Sequence, residues 1–258
     1  MSSPPLPDAV WRASRIGSAA VRSFSSGFAP LDAELPGAGW PAGMLTELIS
    51  RESGIGELRL LVPLLRRLTR ERRFVVVLGP PQIPYAPALA AHGLDLDYLL
   101  IVQATHAADR LWAVEQTLKS SGFGALLAWL PQPRTRPEHL RRMQLAAHAT
   151  QGPAFLFRPL QAQFEASPAP LRLLLLPRAG ERLSVQILKR RGPVVADPIL
   201  VDLPRPPSSI RLRSHVPAET ALQTMRTIHG GDAEVSSPES RSRSCESTPL
   251  RETSRETR

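Results

Sequence analysis

The sequence predicts an α/β fold: a mainly parallel sheet flanked by helices, an antiparallel extension at its C-terminal side, and a disordered C-terminal tail. Three observations lead there. Short uncharged apolar runs alternate with amphipathic segments of helical period, which requires crossover helices between parallel strands. Two later apolar runs follow each other across a Pro177-Arg178-Ala179-Gly180 turn with no helix between them. From about Pro204 onward the chain loses its large apolar residues and cannot bury a core.

Met44 to Ile49, Phe74 to Leu78, Tyr98 to Val102, Ala125 to Leu130 and Ala154 to Phe157 read as strands buried on both faces, being short, largely uncharged and rich in Leu, Val and Phe. Glu57 to Arg72 repeats Leu58, Leu61, Leu65 and Leu68 at helical spacing, and Pro63 is expected to kink this helix. Ala107 to Lys119 does the same with Leu111, Val114 and Leu118. Pro137 to Ala149 opens with proline in its first turn and turns Leu140, Met143 and Ala147 to one side. Leu171 to Leu176 and Leu183 to Arg190 form the antiparallel pair. The expected organisation is residues 1–24 as an N-terminal segment with a short helix, 25–204 as the folded domain and 205–258 as the Ser/Arg/Glu-rich tail. In the tail, Ala218 to Ile228 is the one stretch with an apolar helical face.

The chain has 258 residues and a net charge of +9, carried almost wholly by arginine: only Lys119 and Lys189 are lysines among its 32 basic residues. Counted from Pro206, the tail holds eight arginines against seven acids, so the excess belongs to the folded part and points weakly to nucleic acid or an acidic protein partner. No apolar run approaches the roughly 20 residues of a membrane span. The N-terminus lacks a secretory pattern, and the single Cys245 excludes intrachain disulfides, which together fit the cytoplasm.

The segment Gly27-Phe28-Ala29-Pro30-Leu31-Asp32, the turn Gly37-Ala38-Gly39-Trp40-Pro41-Ala42-Gly43 and the strand Met44-Leu45-Thr46-Glu47-Leu48-Ile49 resemble the lead-in to the phosphate loop of RecA-type recombinases. Gly93 to Leu100, Lys119-Ser120-Ser121-Gly122 and Leu188-Lys189-Arg190-Arg191-Gly192-Pro193 are similar to later landmarks of that family, in the same order. The resemblance implies a RecA-like core.

Catalytic parts are absent from that register. A phosphate loop needs G-x-x-x-x-G-K-[ST], with backbone N–H groups and a lysine for the phosphates and a hydroxyl for magnesium. Ser50-Arg51-Glu52-Ser53-Gly54-Ile55-Gly56-Glu57 stands there instead, with Gly56 at the lysine position and Glu57 at the hydroxyl position. A carboxylate about 4 Å from a phosphate charge repels it by roughly 4 kcal/mol at an effective dielectric of 20. The strand Ala125 to Leu130 ends in Trp129 rather than an acid, and Gly79 to Tyr85 holds no carboxylate. Neither ATPase activity nor any cofactor is expected, and Trp129 is expected to pack into the vacated phosphate site.

With Val10-Trp11-Arg12 and the Gly-Ile-Gly-Glu-Leu loop, these losses resemble ImuA, a RecA-like, SulA-related family. That resemblance implies a non-catalytic accessory protein of damage-induced (SOS) error-prone translesion DNA synthesis. Its partners would be an ImuB-like polymerase relative, a DnaE-type polymerase or RecA, in the cytoplasm and at the nucleoid when engaged. Two alternatives stand beside it: a SulA-like cell-division inhibitor that binds FtsZ, and a divergent RecA-like ATPase.

The candidate contact residues are basic. Arg59, Arg66, Arg70 and Arg73 fall on the helix face opposite its leucines, either as a solvated face partly paired with Glu57 and Glu71 or as a surface for DNA phosphates or an acidic partner. Lys189, Arg190 and Arg191 match the basic strand with which RecA-family subunits reach a neighbour, or form an exposed strand end. Asp95 and Asp97 lead into a strand rather than binding a metal. Trp112 is either an interface anchor or packs under a loop.

Overall fold

A computed structural model describes residues 22–131, 135–193 and 195–205. Val10-Trp11-Arg12, the short N-terminal helix, the Ala218 to Ile228 segment, Cys245 and the tail lie outside the described residues.

The described residues open with a two-stranded antiparallel ribbon, β1 (Ser23–Phe24) with β2 (Trp40–Pro41), enclosing helix α1 (Ala29–Glu34). Strand β3 (Leu45–Ser50) and helix α2 (Glu57–Arg70) follow, then β4 (Val75–Leu78), the short α3 (Ala86–Ala91), β5 (Leu99–Val102), α4 (Ala107–Ser120), β6 (Ala125–Trp129), α5 (Pro137–Ala147) and β7 (Ala154–Pro159). The last strands are β8 (Leu171–Arg178), β9 (Arg182–Lys189) and β10 (Ile199–Asp202). The main sheet has the order β10-β9-β8-β3-β7-β6-β4-β5. From β8 to β5 every neighbouring pair is parallel, while β9 and β10 are added antiparallel.

The antiparallel extension thus begins one strand later than expected, because β8 docks parallel to β3 before the hairpin reverses the chain. Helix α2 and the ribbon cover one face of the sheet through Leu60, Leu61, Leu64, Leu65 and Leu68, with Trp40 edge-on to Phe155. Helices α4 and α5 cover the other through Leu111, Val114, Leu118, Leu140, Met143 and Ala147. Pro63 lies inside α2, and its ring packs against Gly27, where a Cβ would collide with it.

A charged cluster is buried at the middle of the sheet. Glu47 on β3 is fully buried and accepts hydrogen bonds from Arg172 Nε at 2.7 Å, Ser167 Oγ at 2.7 Å and Arg158 Nη1 at 3.3 Å. Arg158 also reaches Glu165 at 2.6 Å, and Arg172 donates to the Ala162 carbonyl. The residue 160–170 segment is therefore tied across the sheet by two arginines on β7 and β8. A buried charge is tolerated only when paired and hydrogen-bonded, and losing one partner of such a group costs about 3–5 kcal/mol. On the outer side, Glu115 of α4 bridges Lys119 at 2.8 Å and Arg142 of α5 at 3.2 Å. Its hydrogen bond from Lys119, opposed by partial burial and aided by Arg142, holds its carboxyl below the usual carboxylate range.

Two outcomes are expected. Glu47→Gln should lower unfolding free energy by about 3–5 kcal/mol, read from urea unfolding, because Arg158 and Arg172 lose their buried counter-charge. Glu115→Gln should cost about 0.5–1 kcal/mol at pH 7. A depressed carboxyl stabilises above its unfolded pKa of about 4.3 and ceases to do so as pH falls through the folded value, so in an unfolding series the difference from wild type should shrink as pH falls below about 4.3 and vanish only below the folded value.

Candidate functional site

In open parallel sheets ligands bind beyond the carboxyl ends of the strands. Here that position is a cavity of about 210 Å³ above β3, β6 and β7, lined by Ser50 to Ser53, Glu57, Trp129, Leu130, Phe157, Arg158 and Pro159. It is smaller than the roughly 300–1,000 Å³ of a typical small-molecule site. Trp129 stacks flat on Phe157, with ring centroids 4.0 Å apart and planes 5° from parallel, so two large rings form one wall.

The loop between β3 and α2 has the shape of an anion cradle but carries its own anion. Gly54 and Gly56 both adopt left-handed backbone, with φ of 86° and 106°. Their N–H groups donate to the two oxygens of Glu57, at 2.8 Å and 3.1 Å. Glu57 is buried in the first turn of α2, where the helix dipole also favours a negative charge. Gly56 lies against Leu203: a Cβ there would collide with the leucine methyl group, and its φ is one that side chains rarely adopt. Glu57 is thus committed to the loop and pairs with none of the α2 arginines.

The arginines of α2 divide into two groups. Arg59 is held by Glu181 at 2.9 Å and by the Pro204 carbonyl at 3.0 Å, clamping the β8–β9 turn and the chain after β10 onto the helix. Arg66 and Arg70 are exposed and lie over Gly93. Arg73, beyond the helix end, stacks over the ring of Phe24, as do Arg67 and Arg22, at 5.3–5.7 Å from its centre. Burial and the neighbouring Arg22 push the Arg73 guanidinium down, while Glu71 opposes them.

The late basic cluster is largely engaged in the fold. Lys189 donates to the Ser167 carbonyl at 2.9 Å. Arg190 bonds the Glu34 carboxylate at 2.9 Å and the Pro193 carbonyl at 2.6 Å, fastening α1 to the end of β9, while Lys189 and Arg191 are both exposed. Asp95 accepts from the Asp97 N–H and starts the turn Leu96–Tyr98 into β5. Trp112 is 65% exposed and packs under no loop. Among the described residues no helix is long and apolar enough to cross a membrane.

Comparison with known proteins gives a match of residues 43–155 to the family model described as cell division inhibitor SulA. The chain is similar to the cell division inhibitor SulA of Edwardsiella piscicida, 31% identical over 111 residues, which is 43% of this chain and 65% of that protein. It is also similar to that of Pectobacterium atrosepticum, 29% identical over 124 residues, 48% of this chain and 73% of that protein, and to that of Yersinia pestis, 27% identical over 119 residues, 46% and 70%. The chain thus spans slightly less than two thirds of the first of these relatives.

These matches overturn the ImuA resemblance, and with it the translesion-synthesis role and the ImuB-like, DnaE-type and RecA partners. The physical reason lies in where the landmarks sit. The β3 Glu-Leu pair, the Gly93 to Leu100 segment and the end of α4 all belong to the run of parallel strands and helices from β3 to β6, and the SulA match covers that same run. The ImuA resemblance rests on Val10-Trp11-Arg12, outside the described residues, on the Gly39-Trp40-Pro41-Ala42-Gly43 entry and on the Gly54-Ile55-Gly56-Glu57-Leu58 loop, and the last of these lies inside the SulA match.

Proposed function

We propose that this chain is a cell-division inhibitor that acts by binding a division protein, with FtsZ, the partner implied by the SulA likeness, as its target. The observation that carries this reading is the SulA match over residues 43–155, which takes in β3, β4, β5 and β6 of the parallel sheet and the first two residues of β7. The loop supports a binding role over catalysis. Its amides are spent on Glu57, the space a side chain at Gly56 would need is filled by Leu203, and the cavity beside it is walled by the Trp129–Phe157 stack. A RecA-like ancestry accounts for that shape: a phosphate cradle whose ligand has been replaced by a side chain of its own first helical turn. The working unit in this reading is residues 25–204, acting in the cytoplasm where FtsZ assembles.

Light scattering of GTP-driven FtsZ assembly tests the reading. Scattering should fall as the chain is added and be abolished near equimolar amounts; unchanged assembly in several-fold excess of folded chain would contradict it. Millimolar Mg-ATP should leave the melting temperature unmoved, whereas a ligand at 100 times its dissociation constant stabilises by about 2.7 kcal/mol. Glu57→Gln should cost about 1–3 kcal/mol in urea unfolding, because two loop amides lose a charged acceptor.

A further inference from the structure

We propose that the groove between α2 and the chain around β1 is a docking site for an acidic, partly apolar peptide segment of a partner protein. The groove has a volume of about 450 Å³ and is lined by Ser25, Gly27, Pro63, Arg66, Arg67, Arg70 and Glu71. Its floor is apolar: Gly27 has no side chain, and the Pro63 ring fills the space a Cβ would need. The Phe24 ring stands close by, beneath Arg22, Arg67 and Arg73. Among the described residues no carboxylate pairs with Arg66 or Arg70, and Arg67 meets Glu71 only at 4.0 Å.

Positive charge is concentrated here beyond what the fold neutralises. Nearby His92 is pushed down by burial and then by Arg59 and Arg66, and Arg73 by burial and then by Arg22. Planar guanidinium groups match carboxylates two oxygens at a time. Arg66 and Arg70 stand about 6 Å apart along the helix axis, a spacing that carboxylates on a short segment can meet.

The occupant is a peptide rather than a nucleic acid for two reasons. Duplex DNA carries one charge per roughly 1.7 Å and rewards a long cationic track. This track is short and is interrupted by Glu71 on its rim and by exposed Asp95 and Asp97 on the segment after Gly93, which lies under Arg66 and Arg70. A sugar-phosphate backbone also has no use for the Pro63 floor, whereas an apolar residue between two acids does.

The test is fluorescence anisotropy with the full chain and a fluorescein-labelled twelve-residue peptide of Asp-Asp-Leu repeats, beside a labelled 20-base-pair duplex. Wild type should bind the peptide more tightly than the duplex. Arg66→Glu with Arg70→Glu should weaken peptide binding at least tenfold, and Arg66→Gln with Arg70→Gln several-fold should reversal of charge disturb folding. Arg141→Glu with Arg178→Glu, an equal charge change at exposed sites outside the groove, should alter it less than twofold. Equal losses in the groove and control variants, or no peptide binding by wild type, would overturn the proposal. Tighter duplex binding that depends on Arg66 and Arg70 would overturn it in favour of a nucleic-acid surface. None of these outcomes depends on whether FtsZ is the target.

Discussion

The arrangement of the sheet depends on one carboxylate. Glu47 has no access to solvent and is neutralised by arginines from the strands on either side of its own. Its register opposite Leu156 on β7 and Arg172 on β8 leaves little freedom. A slip of one residue would turn Glu47 into the leucine-filled face under α2 and take the buried carboxylate away from Arg172. The same pair of arginines anchors the residue 160–170 segment through Glu165 and the Ala162 carbonyl. Three strands and the crossing segment are thereby fixed by one set of charge-assisted bonds.

That constraint has consequences at the end of β3. With the strand held in register, the chain leaves the sheet at Ser50 into the glycine loop, and Glu57 closes the loop on itself. The Gly54 and Gly56 amides of this loop are satisfied in the free protein. On the outer surface, α2 presents Arg66 and Arg70 to solvent while Arg59 is drawn into the fold.

Much of this fold is legible in the sequence because parallel strands buried on both faces read as continuous apolar runs. Every central strand and all three long helices begin within two residues of where the periodicity places them. The short elements are not legible: α1 and α3 are six residues each, contain proline and have no full apolar face, and β10 is a four-residue edge strand with alternating exposure. Long-range pairing is invisible to pattern. Glu47 meets Arg158 and Arg172 across 111 and 125 residues, and Arg59 meets Glu181 across 122, so a stripe of helix arginines could be seen but not its division into structural and exposed members. A glycine-containing turn between β3 and α2 was legible, whereas the direction of Glu57 onto its own loop needed the positive φ values of Gly54 and Gly56. Family assignment went astray for a related reason: the landmarks report a core that several functions share, and function resides in surfaces that the core pattern does not encode.

The central claim is that this chain uses a nucleotide-type core as a rigid platform for a protein partner. Hydrogen–deuterium exchange of the full chain, alone, with millimolar Mg-ATP and with FtsZ, tests it most directly. The account predicts that ATP leaves amide protection at Gly54 and Gly56 unchanged and that FtsZ adds protection on the outer surfaces of the 43–155 region. New protection of the loop by ATP, with none anywhere from FtsZ, would contradict it.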